Sequence, residues 1–253
     1  MEENVERSIE ATRKGFEQSF KEGSLYNKQT QSDNHLRQIV EALNIKPGSK
    51  ILDLGTGSGY LAFEVAKKFK ECEVTGLDIV VQTLEVNKEE AVKRGFKNIS
   101  FVAYDGVHFP FEEEEFDYVL TRYALHHFPK IEETFKEISR ILKPKGQLFI
   151  ADPTPCEGDY ERFVDRYMQM KKDGHIKYYT KTEFIDLAAK ANMELKAAFE
   201  TTISFPRVNE SGYEALIKRY SKEVIEKYKV YVTEDKQYIY ITQNVLNLTF
   251  EKQ

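Results

Sequence analysis

Between Lys50 and Asp152, where no internal repeat is visible, short apolar runs rich in β-branched and aromatic residues alternate with stretches that carry apolar residues at helical spacing. The runs are KILDLG (50–55), EVTGLD (73–78), ISFVAYD (99–105), FDYVLTR (116–122) and GQLFIAD (146–152). Their length and near-continuous apolar character suit strands covered on both faces of a parallel sheet. Between them, YLAFEVAKKF sets Leu61, Ala62, Val65, Ala66 and Phe69 on one helical face. IEETFKEISRIL does the same with Ile131, Phe135, Ile138 and Leu142. Strand alternating with helix predicts an α/β doubly wound sheet, punctuated by Pro47-Gly48 and by the turn Lys143–Gly146.

The flanks are looser. Residues 1–44 read as a helical arm of two helices, the second starting near Ser32-Asp33, with GSLYNKQTQ between them. After the core of 45–154, residues 155–194 carry a helix, the loop KKDGHIKYY and a second helix whose capping box is Thr180 with Glu183. A connection of that length suits a lid or substrate cap. In 195–253, LKAAFETTISF and KQYIYITQNVLNLTF read as the last two strands, separated by a polar helix around 211–229, with the final strand antiparallel.

The segment ILDLGTGSGYLA (51–62) puts Gly55, Gly57 and Gly59 at the carboxyl end of the first strand, opening a helix. That is where open α/β sheets bind ligands, and bare backbone there admits close approach. Asp78 ends the second strand, where a carboxylate can accept both ribose hydroxyls, and Asp105-Gly106 follows the third, where it can face an adenine. Taken singly, the glycines read equally as a structural turn and Asp78 as a helix N-cap. Together they fall on one edge of one sheet, which favours a nucleotide-like cofactor. A dinucleotide turn wants G-x-G-x-x-G. The spacing here is G-x-G-x-G with Asp53 two residues ahead, a carboxylate that would repel a diphosphate and suit an ammonium and a sulfonium.

Composition narrows the partners. The 253 residues carry a net charge of −5, which supplies no positive field for nucleic acid or an anionic membrane. Cys72 and Cys156 show no metal-like spacing and read as inert buried thiols of a reducing compartment. The charged N-terminal stretch MEENVERSIEATRKG has no apolar leader-like region, and no window approaches the ~18 apolar residues of a membrane span. A cytoplasmic protein without a metal is expected, and the acidic FEEEEFD (111–117) reads as a solvated turn.

ILDLGTGSGYLA, GLDI, AYDG, FDYVLTRYALHHF and LKPKGQLFIAD, in this order and spacing over residues 45–155, resemble the motifs of class I S-adenosylmethionine-dependent methyltransferases. The ubiquinone/menaquinone-biosynthesis-like (type 11) group is the most similar. The resemblance implies a Rossmann-like seven-stranded sheet with its last strand antiparallel, and S-adenosylmethionine as cofactor with S-adenosylhomocysteine as product. By position it implies Asp53, Gly55, Thr56, Gly57 and Gly59 near the methionine moiety, Asp78 on the ribose and Ile79 beside the adenine. Asp105 and Gly106 fall at the adenine edge, and Arg122 contributes backbone near the sulfonium. Relatives often carry an acid two residues after the third-strand Asp, where this chain has Val107.

Methyl transfer needs an acceptor held at attack distance with water excluded, and a general base where the acceptor is a hydroxyl or a carbon acid. His126 and His127 follow the fourth strand, and neighbours on a helical turn cannot both face the acceptor. RYALHHF resembles the RDAILHI stretch of phosphoethanolamine methyltransferases, which implies His127 as base or acceptor-orienting group with Tyr26 as its partner. A histidine packing the turn onto the sheet is the plainer alternative. His175, in DGHIKYYT, is a further candidate for touching substrate. Phe163, Tyr167, Met168, Met170, Tyr178 and Tyr179 either pack the cap or line an apolar acceptor pocket. The expected activity is methylation of a small, partly apolar molecule. The alternatives are an RNA or protein methyltransferase, a non-catalytic cofactor-binding protein, and a nicotinamide dehydrogenase, against which Asp53 and the third glycine argue. The methylated atom and the oligomeric state are not written in the sequence.

Overall fold

The structure, a computed structural model, describes residues 2–21 and 33–253. Five parallel strands, β1 (Lys50–Leu54), β2 (Glu73–Asp78), β3 (Ile99–Ala103), β4 (Phe116–Arg122) and β5 (Leu142–Thr154), form the core of the sheet. β6 (Met193–Val208), β7 (Tyr231–Val232) and β8 (Tyr238–Lys252) complete it. The order is β3-β2-β1-β4-β5-β8-β6, so the last strand inserts antiparallel between β5 and β6, as expected. The eighth strand is the two-residue β7, which pairs with Ile239 and Tyr240 of β8.

Side chains alternate across the strands into two cores. Ile51, Val74, Leu120 and Phe149 face one layer, with α2 (Asp33–Ala42), α3 (Tyr60–Lys68) and α4 (Val81–Lys93). Leu52, Leu77, Val119 and Ile150 face the other, with α5 (Ile131–Ile141) and α7 (Lys181–Lys190). α6 (Phe163–Gln169) joins the first layer through Phe163, Val164, Tyr167 and Met168. Strand order reverses between β1 and β4, and this reversal opens a crevice at their carboxyl ends.

Several boundaries differ from the sequence reading for local physical reasons. β5 starts at Leu142 and absorbs the Lys143–Gly146 turn as an irregularity, with Lys145 at φ 64° and a register shift between Phe116 and Tyr118. The helix expected from 155 begins only at Phe163, because the Asp159 carboxylate accepts the N–H groups of Phe163 (2.7 Å) and Val164 (3.1 Å) and fixes the start there. The polar helix of 211–229 is two short ones, α8 (Ser211–Ile217) and α9 (Lys222–Lys227). The capping box of α7 is present, Glu183 N donating to Thr180 Oγ1 at 3.3 Å and Thr180 N to Glu183 Oε2 at 2.8 Å.

Two N-terminal helices pack against the sheet, and the first of them covers the crevice. In α2, His35 hydrogen-bonds through Nδ1 to Tyr123 Oη (2.9 Å) and through Nε2 to Asn247 Oδ1 (3.3 Å), tying the helix to the end of β4 and to β8. α1 (Glu2–Lys21) lies across the strand ends, with Arg13 Nε donating to Ile79 O at 3.4 Å. It rests on the loop after α6 at Gly174, which has φ +80° and where a Cβ would collide with the side chain of Thr12 and stand 2.8 Å from its Cα. Gly174→Ala is therefore expected to dislodge α1, lowering stability by about 2 kcal/mol. Amide exchange across residues 3–18 measures it, and the rate there should rise while that of β1 and β4 stays unchanged.

Candidate functional site

Where β1 ends, Gly55 turns the chain at φ 71°, and a Cβ there would stand 2.5 Å from that of Ala124. The N–H groups of Gly55 and Thr56 both donate to Leu77 O, at 2.8 and 3.1 Å, so the turn is stitched to β2 as it leaves the sheet. Gly57 N donates to Asp78 Oδ2 at 2.8 Å and Val80 N to Asp78 Oδ1 at 2.9 Å, while Asn87 Nδ2 holds Gly57 O at 2.8 Å. Asp78 is thereby fixed at the mouth of the crevice before any ligand arrives. The backbone donors work against burial, which still leaves its carboxyl above the ordinary range.

Asp53 lies one layer deeper, 2 % exposed, and accepts Thr56 Oγ1 at 2.7 Å. Burial pushes its carboxyl up to about 6, against the opposing pull of Thr56 and the guanidinium of Arg122. Arg122, the last residue of β4, lies over the rings of Tyr60 (5.0 Å) and Tyr123 (4.0 Å).

These groups enclose a cavity of about 140 Å³. Its polar wall includes Asp53, the Gly55–Ser58 turn, Asp78 and Arg122, and its apolar wall includes Ile79, Tyr104 and Phe128. Ile9, Thr12 and Phe16 of α1 form its roof. Gly106 also lines it, under Ile9.

Asp105 does not line it. Its side chain is 58 % exposed, and it accepts the N–H groups of Val107 and His108, both at 2.7 Å, and pairs with His108 Nδ1 at 2.9 Å. The carboxylate is spent on its own turn, an Asx-type arrangement, and leaves Gly106 to face the cavity.

The two adjacent histidines diverge. They sit on a single 3-10 turn, Leu125–His127, and only His127 reaches the cavity wall. His126 turns inward, its Nδ1 2.6 Å from Asp152 Oδ1, while Asp152 Oδ2 accepts Leu125 N at 3.1 Å. Burial pushes Asp152 up to about 7 and His126 well below its ordinary range, both toward their neutral forms. Burial, with His126 beside it, drives His127 down to about 3, a neutral imidazole at physiological pH. Its Nδ1 has no hydrogen-bond partner, and its ring meets that of Phe16 edge-on at 5.1 Å.

His175 is buried behind this pair, with Nε2 2.9 Å from Asp165 Oδ1 and its ring 6.1 Å from that of His127. It does not line the cavity. Tyr26, the partner implied for His127, lies outside the described residues. Of the cap aromatics, Phe163, Tyr167 and Tyr178 are fully packed into the first core.

Sequence reasoning did not single out Asp152 as the anchor of the histidine turn, nor the α1 roof. The i, i+3, i+7 spacing of Ile9, Thr12 and Phe16 was the available signal for the roof. Among the described residues no group of three or more His, Cys, Asp or Glu could hold a metal ion, and no helix is long and apolar enough to cross a membrane.

Residues 45–240 match the model of a methyltransferase domain. The chain is 25 % identical over 147 residues to the uncharacterized methyltransferase YcgJ of Bacillus subtilis, a match covering 58 % of this chain and 57 % of that protein. The YcgJ crystal structure superposes with a TM-score of 0.73 at 20 % identity, covering 88 % of this chain and 99 % of the other, and so shares the fold. A demethylmenaquinone methyltransferase of Staphylococcus saprophyticus is 34 % identical over 172 residues, covering 67 % of this chain and 69 % of its own. A sterol 24-C-methyltransferase of Schizosaccharomyces pombe is 32 % identical over 160 residues, covering 62 % of this chain and 42 % of its own. The chain thus spans about half the length of two of these relatives. By its domain and its fold, the chain belongs to the class I S-adenosylmethionine-dependent methyltransferases, in the ubiquinone/menaquinone-like group.

Proposed function

We propose that this chain transfers the methyl group of S-adenosylmethionine to a small, partly apolar molecule bound beneath α1, as a cytoplasmic enzyme that engages neither nucleic acid nor membrane. The observation that carries this reading is the pair of buried carboxylates, Asp53 and Asp78, at the carboxyl ends of adjacent parallel strands on either side of one glycine turn. Their chemistry fits the cofactor. Asp78 would accept the ribose hydroxyls, with Ile79 and Gly106 against the adenine. Asp53, with Gly55, Thr56, Gly57, Gly59 and the backbone of Arg122, would hold the methionine end. When bound, the cofactor supplies an activated methyl group on a sulfonium. Asp105 would act indirectly, by shaping the turn that carries Gly106.

The chain's own contribution is then placement and exclusion of water. Ile9, Thr12 and Phe16 roof the cavity, and His127 presents a neutral imidazole at its wall. An imidazole of such low basicity orients an acceptor by hydrogen bonding and is a poor proton sink. His126 and Asp152 hold the turn that aims it, and residues 155–194 form the cap behind. His175 supports this from the second layer through Asp165.

Binding is tested by thermal shift with S-adenosylmethionine, S-adenosylhomocysteine and NADH. The first two at 100 times their Kd are expected to stabilise the fold by about 2.7 kcal/mol, and NADH not at all. Stabilisation by NADH alone would overturn the reading. Asp78→Ala should raise the Kd for S-adenosylhomocysteine about a hundredfold, the loss of hydrogen bonds to a charged group.

The pH dependence follows from Asp53. Its carboxyl in the folded chain sits at about 6, above the ~3.9 of an unfolded chain, so the stability it contributes is present at low pH and lost as pH rises through about 6. A cationic ligand favours the carboxylate and expels the proton. Affinity for S-adenosylhomocysteine should therefore fall as pH drops below about 6, by up to about tenfold per unit. Calorimetry in two buffers of different ionisation enthalpy should show proton release near pH 6, and Asp53→Asn should abolish it.

For His127, the His127→Ala variant is expected to lose about a hundredfold in kcat on the true acceptor while binding S-adenosylhomocysteine normally. Unchanged kcat would reduce His127 to a packing residue.

A further inference from the structure

The backbone N–H groups of the glycine turn can be followed one by one to their acceptors. Those of Gly55 and Thr56 donate to Leu77 O, that of Gly57 to Asp78 Oδ2 at 2.8 Å, and that of Gly59 to Thr56 O at 2.8 Å. The N–H of Ser58 donates to none of the described residues. A backbone donor is an obligatory hydrogen-bonding group, so what matters is where this one points.

Its direction is set by Asn87, a buried residue of α4 whose Nδ2 donates to Gly57 O at 2.8 Å. In a planar trans peptide the C=O of one residue and the N–H of the next point in opposite directions. Gly57 O is drawn toward Asn87, which is not part of the cavity wall, and Ser58 is part of it. The Ser58 N–H is therefore turned away from α4 and toward the cavity. Little else restrains this peptide, because Gly57 sits at φ 49° with no atom within 4 Å of where a Cβ would stand. Asp78 grips its N–H, and Asn87 grips its carbonyl.

The surroundings of the bare donor suit an anion. Ser58 lies two residues before α3, whose N-terminus has no side-chain cap and no acidic residue in its first turn. The positive end of that helix dipole is thus left unbalanced by the chain itself. Asp53, on the same cavity wall, suits a cation. An amino-acid end, with an ammonium and a carboxylate on one carbon, complements both.

We infer that Asn87 is a positioning residue for the cofactor: by holding Gly57 O it aims Ser58 N–H at the carboxylate of the cofactor's amino-acid end, while Asp53 takes the ammonium. This rests on the methyltransferase reading above and extends it to a side chain that does not touch the ligand.

The test compares two probes on the full chain by calorimetry. One is S-adenosylhomocysteine, and the other is methylthioadenosine, which keeps the adenosine and the thioether and lacks the amino-acid end. Asn87→Ala, a favourable exchange within a helix, should weaken S-adenosylhomocysteine about tenfold, the order expected for a disturbed hydrogen bond to a charged group, and leave methylthioadenosine within about twofold. A purely structural role would weaken both probes, since the same turn fixes Asp78 for the ribose. In the unsubstituted chain the Ser58 amide proton should move downfield in the nuclear magnetic resonance spectrum with S-adenosylhomocysteine and stay in place with methylthioadenosine. That measurement decides should Asn87→Ala fail to fold. Equal loss for both probes, loss for neither, or a Ser58 amide unmoved by S-adenosylhomocysteine overturns this proposal and leaves the cofactor reading standing. Failure of S-adenosylhomocysteine to bind the unsubstituted chain overturns both.

Discussion

The double hydrogen bond from Gly55 and Thr56 to Leu77 O is the interaction on which the site depends. It carries the ladder between β1 and β2 past the end of β1 while the chain is already turning into α3. The turn is thereby held against Ala124 at a distance that only glycine allows. Because β4 runs on the other side of β1, the same turn forms one lip of the crevice, and the histidine turn that follows β4 forms the other. Remove the close approach and the two lips separate.

The electrostatics of this crevice are set by dehydration. Asp53, Asp78 and Asp152 are all raised, while His35, His126 and His127 are all lowered. Every one of these groups is pushed toward its neutral form, as burial dictates where no strong counter-charge is supplied. A cationic ligand would oppose the burial that raises Asp53 and Asp78 and favour their carboxylate forms.

The core strands and the acids at their ends were legible because each depends on a short segment: an apolar run, a glycine turn, a carboxylate two or three residues on. The same locality explains the departures. Asp105 turns away because the N–H groups of Val107 and His108 are nearer than any ligand, a competition that a motif does not display. That His127 and not His126 lines the cavity depends on Asp152, 26 residues downstream of His126, which no spacing rule links to it. The division of the last helix and the length of β6 follow from pairing with β8 across the chain, not from local propensity. α1 was legible as a helix, and its place over the cavity was not, because that place is fixed by Gly174 and Ile79 far along the sequence.

His35 joins the beginning of the chain to its far end, bonding Tyr123 and Asn247 at separations of 88 and 212 residues. Asn247 lies on β8, the strand that inserts between β5 and β6. During synthesis the core strands emerge and pair first, with crossovers that need no later segment. α2 cannot be secured in its final position until residue 247 has left the ribosome.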